Sequence, residues 1–205
     1  MNDLPGTHGS VGMNDFPGTH GSPGTNHLPI THRSPGMNRF TGKTALITGG
    51  TSGMGLATAR RLVAEGAHVV VTGRTRARVD AAVAELGPNA SGAVADAAEL
   101  GAVEALMDTV RDRHGRLDTL FANAGTGTFL PFEDITEADF DHAVDVNLKG
   151  VFFTVQKALP LLVDGGSVVV NASWTLHRGN SVLTLYSATK AAAHNLARTL
   201  AAGLA

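Results

Sequence analysis

The sequence predicts an α/β protein in which a doubly wound parallel sheet lies between two layers of helices. Three observations predict this fold. Strand-like and helix-like segments alternate five times after residue 43, a glycine-rich turn joins the first strand to the first helix, and the second and fifth strands each contain the run VVV. Alternation of this kind predicts βαβ units with right-handed crossovers. Uninterrupted β-branched runs are typical of strands that are buried on both faces.

Short apolar runs predict the strands, and helical periodicity predicts the helices. The strands are expected at 44–48, 67–73, 90–95, within 117–125, and at 167–173. The helices are expected at 56–66, 76–87, 98–115, 136–163 and from 186 onward. Glycines at the ends of the first three helices act as stop signals. Thr136 and Asp139 resemble a capping box at the start of the fourth helix.

Composition restricts the possible functions. The chain has 205 residues, a formal net charge of -2 and 43% hydrophobic residues, enough for the core of one large domain. The near-neutral charge gives no electrostatic reason to expect nucleic acid or an anionic membrane as a partner. The absence of cysteine excludes disulfides, thiolate zinc sites and cysteine nucleophiles, and we expect no metal site.

No membrane segment is predicted. The apolar stretch 151–163 is interrupted by Gln156, Lys157 and Pro160, so it is not expected to span a membrane. The N-terminus lacks the basic and apolar regions of a signal peptide. These features predict a cytoplasmic protein.

Residues 1–36 consist of three copies of a twelve-residue unit, and the domain is predicted at 37–205. Five of the eight prolines lie in these repeats and few apolar residues do, so we expect a disordered tail. His8, His20 and His32 recur with the repeat. They indicate either a metal-binding tail or a duplicated coding segment, and we favour the second interpretation because compositional signals of this kind are weak.

The turn after the first strand reads TGGTSGMG, from Thr48 to Gly55. Its glycines allow a tight turn and a close approach of backbone N–H groups to a pyrophosphate, with the next helix N-terminus facing the phosphates. A plain tight turn would use similar glycines, but the strand–loop–helix context favours a Rossmann-type dinucleotide site. No Gly-Lys-Ser/Thr follows, which excludes a P-loop. The cofactor-binding residues predicted here are Thr48, Gly49, Thr51, Ser52, Gly53, Met54 and Gly55.

The loop after the second strand is expected to meet the adenosine ribose. An acidic residue there would bind the 2′-hydroxyl of NAD, but this chain has Arg74, Arg76 and Arg78. A guanidinium suits a 2′-phosphate, so the loop predicts NADP(H) in preference to NAD(H), with Arg74 as the contact. The alternative is a solvated helix start with ordinary surface arginines.

Five motifs stand in the order and spacing of one family. They are TGGTSGMG, the NAG at 123–125, Asn147 in DVNLKG, Ser173, and YSATK from Tyr186 to Lys190. From about residue 40 to 205 the chain therefore resembles the short-chain dehydrogenase/reductase family. The resemblance implies an NADP(H)-dependent oxidoreductase that transfers a hydride between nicotinamide and a secondary alcohol or ketone.

Tyr186 is the single tyrosine of the chain, and with Lys190 it forms an i, i+4 pair on one helix face. A phenol with an ordinary pKa of about 10 is a poor acid or base at neutral pH, and a nearby ammonium would stabilise its phenolate. The resemblance implies that Tyr186 exchanges a proton with the substrate oxygen and that Lys190 also holds the nicotinamide ribose. It further implies that Ser173 orients the substrate oxygen and that Asn147 binds a water that relays protons.

The resemblance also assigns residues around the cofactor. It implies that Thr48 and Asn123, followed by Ala124 and Gly125, stabilise or line the cofactor loops, although Ala122 replaces the first asparagine of the usual NNAG. Asp96 would reach the adenine amine or, equally, cap the next helix. The resemblance suggests that the substrate mouth includes Trp174, Leu176 and His177, whose alternative role is loop packing.

Members of this family usually continue for several dozen residues, so the resemblance implies that the last two strands of the family fold are missing here. The fifth strand would then be an exposed hydrophobic edge prone to aggregation, and the nicotinamide side would be open to water. An interface through the two long helices would remain available to a homo-oligomer. The alternative function is therefore a truncated, catalytically weak or inactive NADP(H)-binding protein.

Overall fold

The computed structural model describes residues 38–204. The repeated tail at 1–36, with its predicted disorder, lies outside the described residues. Five parallel strands form one sheet in the order β3-β2-β1-β4-β5, which confirms the predicted doubly wound sheet. The strands are β1 (Thr44–Ile47), β2 (His68–Gly73), β3 (Ala90–Val94), β4 (Leu117–Ala122) and β5 (Leu162–Val170).

Helices cover both faces of this sheet. They are α1 (Gly53–Ala64), α2 (Arg76–Leu86), α3 (Leu100–His114), α4 (Glu137–Val144), α5 (Gly150–Ala158) and α6 (Thr184–Gly203). Consecutive residues of β1 point to opposite faces, as expected for a strand. Leu46 belongs to the buried cluster that includes residues of α3 and α5. Ile47 belongs to the cluster that includes residues of α1 and α2.

The strand register brings the carboxyl ends of the central strands together. Ile47, the last residue of β1, pairs with Val71 of β2 and with Phe121 of β4. In open parallel sheets, ligands bind outside this edge, where the strand order reverses. The reversal here lies between β1 and β4.

The long helix predicted at 136–163 differs from the observed one. Its capping box is confirmed, because Thr136 Oγ1 accepts from Asp139 N at 3.2 Å and Thr136 N donates to Asp139 Oδ2 at 3.1 Å. A π-helical turn, Asp145–Lys149, separates α4 from α5, and a 3₁₀ turn, Leu159–Leu161, follows α5. Pro160 lies in that turn and lacks an N–H, so the α-helix ends at Ala158.

The start of the fifth strand was also predicted too late. β5 begins at Leu162, which pairs with Leu117 of β4, and its register shifts before Ser167 pairs with Thr119. Gly165 has a φ of 73° within this irregular part, a conformation that glycine adopts without strain. The sequence DGG at 164–166 did not predict a strand, because apolar and polar residues do not alternate there.

β5 lies at one edge of the sheet, as predicted, with β4 as its neighbour. The side chain of Val169 on this strand is 49% exposed. In the part of the chain that the structure describes, no helix combines the length and apolar character needed to cross a membrane.

A buried carboxylate lies at the amino ends of the two central strands, β1 and β4. Asp118, which is 6% exposed, accepts hydrogen bonds from Thr44 N at 2.9 Å, Lys43 Nζ at 3.0 Å and Arg116 Nη2 at 2.7 Å. Burial opposes its charge, but the hydrogen bonds from Arg116, Thr44 and Lys43 outweigh burial and lower the pKa of Asp118 to about 2. Asp118 thereby ties β4 to the start of β1, far from the edge where ligands bind.

Candidate active site

A cleft of about 480 Å³ lies at the carboxyl edge of the sheet. It is formed by the loops after β1, β2, β3 and β4 together with the start of α6. The predicted site residues that line it are Gly49, Thr51, Ser52, Met54, Arg74, Asp96, Asn123, Ala124, Gly125, Tyr186 and Lys190. Those that do not line it are Thr48, Gly53, Gly55, Asn147 and Ser173.

The glycine loop can only be built with glycine at its critical positions. Gly49 and Gly53 have φ values of 63° and 53°, in the left-handed region that side chains disfavour. At Gly55, an added Cβ would collide with the carbonyl oxygen of Gly49 and lie 2.7 Å from Asn123 Nδ2. The loop is therefore folded tightly against the loop after β4, with α1 starting at Gly53.

Thr48 and Asn123 join these two loops. Thr48 Oγ1, buried below the cleft, accepts hydrogen bonds from the backbone N–H groups of Asn123 and Ala124, both at 3.0 Å. Asn123 Nδ2 donates in return to the carbonyl oxygens of Thr48, at 3.0 Å, and Gly49, at 3.2 Å. These contacts hold the loop after β1 against the loop after β4.

The part of the cleft formed by the loop after β2 is basic. Arg74 lines the cleft, and so does Arg78, although only Arg74 was predicted to contact the cofactor. Arg76 does not line the cleft and pairs instead with Asp80 at 3.7 Å. Among the described residues, no carboxylate forms an ion pair with Arg74 or Arg78.

Asp96 lies in the cleft after β3. The expectation that it might cap the next helix was wrong, because α3 begins at Leu100 and its N-cap position is Glu99. Asp96 Oδ1 instead accepts a hydrogen bond from Ala98 N at 3.0 Å. This contact tightens the turn that precedes the helix and holds the carboxylate beside the cleft.

Tyr186 and Lys190 lie together at the other end of the cleft. Lys190 Nζ is 5.8 Å from the centroid of the Tyr186 ring and donates a hydrogen bond to the carbonyl oxygen of Asn171 at 2.8 Å. Lys190 is only 3% exposed, and this burial lowers the pKa of its ammonium below the ordinary value of 10.5. The ring of Phe129 meets Tyr186 edge-on, with centroids 5.8 Å apart.

Asn147 lies in the π-helical turn and is completely buried. Its Oδ1 accepts from Thr126 N at 2.8 Å, and its Nδ2 donates to Thr126 O at 2.9 Å. Isolated π turns occur frequently at functional sites. Here the turn places Asn147 against the loop after β4.

Gly125 separates Asn147 from Lys190. A Cβ added to Gly125 would lie 3.1 Å from Lys190 Nζ and 3.2 Å from Asn147 Oδ1. The space beside Gly125 is therefore too narrow for any side chain unless one of these polar groups moves. Asn147 Oδ1 keeps a second lone pair for a further hydrogen bond.

Ser173 lies beyond β5, and the structure does not bring it into the cleft with Tyr186. Its Oγ accepts from Thr175 Oγ1 at 2.9 Å and from Thr175 N at 3.3 Å. A hydroxyl has two acceptor sites and one donor, so the O–H of Ser173 remains available for donation. The predicted mouth residues Trp174, Leu176 and His177 fall in a 3₁₀ turn that also does not line the cleft.

Several cleft residues were missed in the sequence, and two of them, Asn171 and Phe129, contact Lys190 and Tyr186. Asn171 supplies the carbonyl that binds Lys190, and its Nδ2 donates to Asn123 Oδ1 at 3.0 Å. Its place immediately after the VVV strand could have indicated this role, since functional residues follow the carboxyl ends of strands. No sequence pattern indicated a role for Phe129, because it lies in an irregular loop without periodic apolar residues.

Comparison with known proteins identifies the family. The family described as short chain dehydrogenase matches residues 43–205. The chain belongs to this family. Among curated relatives, oxidoreductase asL5 of Sarocladium schorii is 44% identical over 168 residues, which is 81% of this chain and 68% of that protein. Levodione reductase of Leifsonia aquatica is 42% identical over 171 residues, which is 80% of this chain and 64% of that protein.

Solved structures have the same fold. A short chain dehydrogenase from Burkholderia cenocepacia in complex with NADP superposes with a TM-score of 0.78 at 37% identity, covering 81% of this chain and 70% of that one. The chain thus spans roughly two thirds of the length of its curated relatives. The family membership predicted from the motifs is confirmed.

Proposed function

We propose that this protein is an NADP(H)-dependent oxidoreductase that transfers a hydride between nicotinamide and a secondary alcohol or ketone. The observation that carries the proposal is that Tyr186 and Lys190 line the same cleft as Arg74 and the glycine loop. The pair proposed to exchange the proton and the residues proposed to bind the dinucleotide therefore line the same cleft. The names of the oxidoreductase and reductase relatives support this reaction class.

The residues present fit a dinucleotide. Gly55 lets the start of α1 pack directly against Gly49 and Asn123, a contact that any side chain would block, and this packing shapes the glycine loop. Ser52, at the N-cap of α1, makes no side-chain hydrogen bond to the helix, which leaves the first-turn N–H groups of α1 for phosphate oxygens. In the proposed complex the glycine loop holds the pyrophosphate, Asp96 faces the adenine and Lys190 holds the nicotinamide ribose.

The reaction needs a hydride at the substrate carbon and a proton at its oxygen. Bound NADPH supplies the hydride, and NADP⁺ accepts it in the reverse direction. Tyr186 donates its phenolic proton to the substrate oxygen during reduction and takes it back during oxidation. The ammonium of Lys190 stabilises the phenolate that remains.

A path for reprotonating Tyr186 passes Lys190. Because burial lowers its pKa, the ammonium of Lys190 releases a proton more readily than an exposed lysine does. Lys190 Nζ and Asn147 Oδ1 both lie close to Gly125, and this proximity supports the water relay between them that the family resemblance implies. Asn147 thus serves the relay through Oδ1, while its amide nitrogen remains bound to protein.

Ser173 is proposed to donate its free O–H to the substrate oxygen. Thr175 occupies both acceptor positions of the Ser173 hydroxyl, which favours donation by that group. Its position outside the cleft favours the alternative function, a protein that binds NADP(H) and catalyses weakly. Both proposed functions include binding of NADP(H), and only the oxidoreductase function includes efficient turnover of substrate.

NADP(H) is proposed as the preferred cofactor because Arg74 and Arg78 line the cleft without a carboxylate partner among the described residues. A guanidinium binds a 2′-phosphate with charge-assisted hydrogen bonds. The Burkholderia cenocepacia relative is in complex with NADP, which supports this choice.

The cofactor proposal is tested by thermal melts of the full chain with NADPH or NADH. A cooperative transition should rise more with NADPH than with NADH, because a ligand that binds only the folded state stabilises it. Arg74→Ala should weaken NADPH binding by about tenfold to a hundredfold, the value of a hydrogen bond between charged groups, and leave NADH binding unchanged. Arg76→Ala is the matched control, since Arg76 lies outside the cleft. Equal shifts with both cofactors would exclude the NADP preference.

The helical segment formed by α4 and α5 and the long helix α6 are proposed to form a homo-oligomer contact. The protein is proposed to act in the cytoplasm on a small alcohol or carbonyl compound. Phe140 of α4 and Phe152 of α5 are 52% and 42% exposed, which supports an apolar contact surface on the first of these segments. The absence of cysteine is compatible with a reducing compartment. Sedimentation of the wild type and a Phe140→Ser, Phe152→Ser variant would test the contact.

A further inference from the structure

The catalytic helix carries a buried threonine between Tyr186 and Lys190. Thr189 is 4% exposed, and its Oγ1 donates to the carbonyl oxygen of Tyr186 at 2.9 Å. A threonine bond to the preceding helical turn is common and by itself explains nothing about a site. The oxygen of this hydroxyl also accepts a hydrogen bond, and the donor of that bond lies outside α6.

That donor is Asn147 in the π-helical turn. Asn147 Nδ2 donates to Thr189 Oγ1 at 3.1 Å and uses its other N–H for Thr126 O. The pair of bonds to Thr126 N and Thr126 O fixes which end of the Asn147 amide is oxygen. The remaining N–H must then face Thr189, so the orientation of the whole group is determined.

The hydroxyl of Thr189 thus joins three parts of the site. It connects α6 at Tyr186 to the π-helical turn and, through Asn147, to the loop after β4 at Thr126. Gly125, beside Lys190 Nζ and Asn147 Oδ1, directly precedes Thr126 in this loop. A shift of α6 relative to Asn147 would change the distance between the two polar atoms that flank Gly125.

We propose that Thr189 is a positioning residue that holds Tyr186 and Lys190 in register with Asn147. The inference rests on the proposed function, since it concerns the same proton-exchanging pair. Thr189 acts through its hydroxyl and does not line the cleft. Valine at this position would keep the shape and β-branching of threonine but leave a buried N–H of Asn147 without an acceptor.

The test compares Thr189→Val, Thr189→Ser and Thr199→Val in the full chain. Thr199 is a matched control on the same helix, because its Oγ1 donates to Asn195 O at 2.6 Å in an exposed position. With a ketone substrate, Thr189→Val should lower kcat by about tenfold to a hundredfold, as a small misplacement of reacting groups does, with KM for NADPH changed less than about twofold. Serine should restore kcat, and Thr199→Val should leave it unchanged.

A readout without turnover separates this proposal from the proposed function. Tyr186 is the only tyrosine, so protein labelled with ¹³C at the tyrosine Cζ gives one resonance. Its chemical shift and pH response report the environment of the phenol. Thr189→Val should alter both, while Thr189→Ser and Thr199→Val should match the wild type.

The outcomes are distinct. If the wild type binds no NADPH and reduces no ketone, the proposed function fails, and the resonance still decides the role of Thr189. An unchanged resonance in Thr189→Val would overturn the positioning role, even if the melting temperature fell, because the residue would then be structural only. A changed resonance with serine rescue supports the role.

Discussion

The ammonium of Lys190 donates a 2.8 Å hydrogen bond to the backbone carbonyl of Asn171, and no carboxylate of the described residues pairs with it. A buried cation with only a neutral acceptor is costly for the fold. The site therefore holds a group that destabilises the folded chain, as functional sites often do.

Lys190→Met should change the pH dependence of stability. Because the folded-state pKa of Lys190 lies below 10.5, the unfolded chain binds this proton more strongly, and stability rises with pH up to that value. The stability of the wild type minus that of Lys190→Met should therefore increase as the pH rises from the lowered folded-state pKa toward 10.5. Urea unfolding of both proteins across this range measures it. A difference independent of pH would contradict the lowered pKa.

Tyr186→Phe should abolish most turnover and preserve the cofactor site. Phenylalanine keeps the edge-on contact with Phe129 but has no proton to exchange. We expect kcat to fall by about a hundredfold to ten thousandfold, the contribution of a positioned acid or base. NADPH affinity, measured by fluorescence titration, should stay within about twofold. Turnover that survives the substitution would refute the tyrosine mechanism.

Gly125→Ala should fill the place between Lys190 and Asn147. The new methyl group would lie 3.1 Å from Lys190 Nζ and 3.2 Å from Asn147 Oδ1, so at least one of these polar groups would have to move. Steady-state assays should show kcat reduced by about a hundredfold, the smaller end of what a positioned acid or base contributes. The matched control is Gly101→Ala in α3, where an added Cβ meets no atom within 4 Å. Equal kcat values for the two variants would argue against a relay at Gly125.

Asp118→Asn should alter acid stability without affecting the cleft. The pKa of Asp118 is lowered from 3.8 to about 2, so its contribution to stability is present above about pH 4 and is lost as pH falls toward 2. The variant should be less stable at neutral pH and should lose less stability on acidification. Thermal melts at several pH values test this. Asp112→Asn, an exposed carboxylate of α3, is the control and should follow the wild type.

Sequence reasoning located the parts of the site that depend on local spacing. The glycines at 49, 53 and 55 and the four-residue step from Tyr186 to Lys190 are local patterns, and the structure brings them to one cleft. The doubly wound parallel sheet also follows from the alternation of strands and helices. The order of its strands was not predicted. Asp96 was left with two roles, because a carboxylate after a strand fits either one until the helix start is known.

Features that depend on tertiary contacts were beyond the sequence. A π-helical turn has nearly the same apolar spacing as an α-helix, so the break at Asp145–Lys149 gave no signal. The partners of Asn147 lie 21 and 42 positions away, at Thr126 and Thr189. Thr189 could have been noticed as a β-branched residue within a helix, but its acceptor role required the fold.

The hydrogen bonds between Thr48 and Asn123 have a consequence for biosynthesis. They join positions 75 residues apart. The loop after β1 and the loop after β4 can therefore form one site only when these two strands lie side by side. Loop closure over such a separation is an entropic cost that the central strands must first offset. A nascent chain that has exposed only β1, β2 and β3 thus has the glycine loop but not its counterpart. Dinucleotide capture during translation would mark the moment at which the centre of the sheet closes.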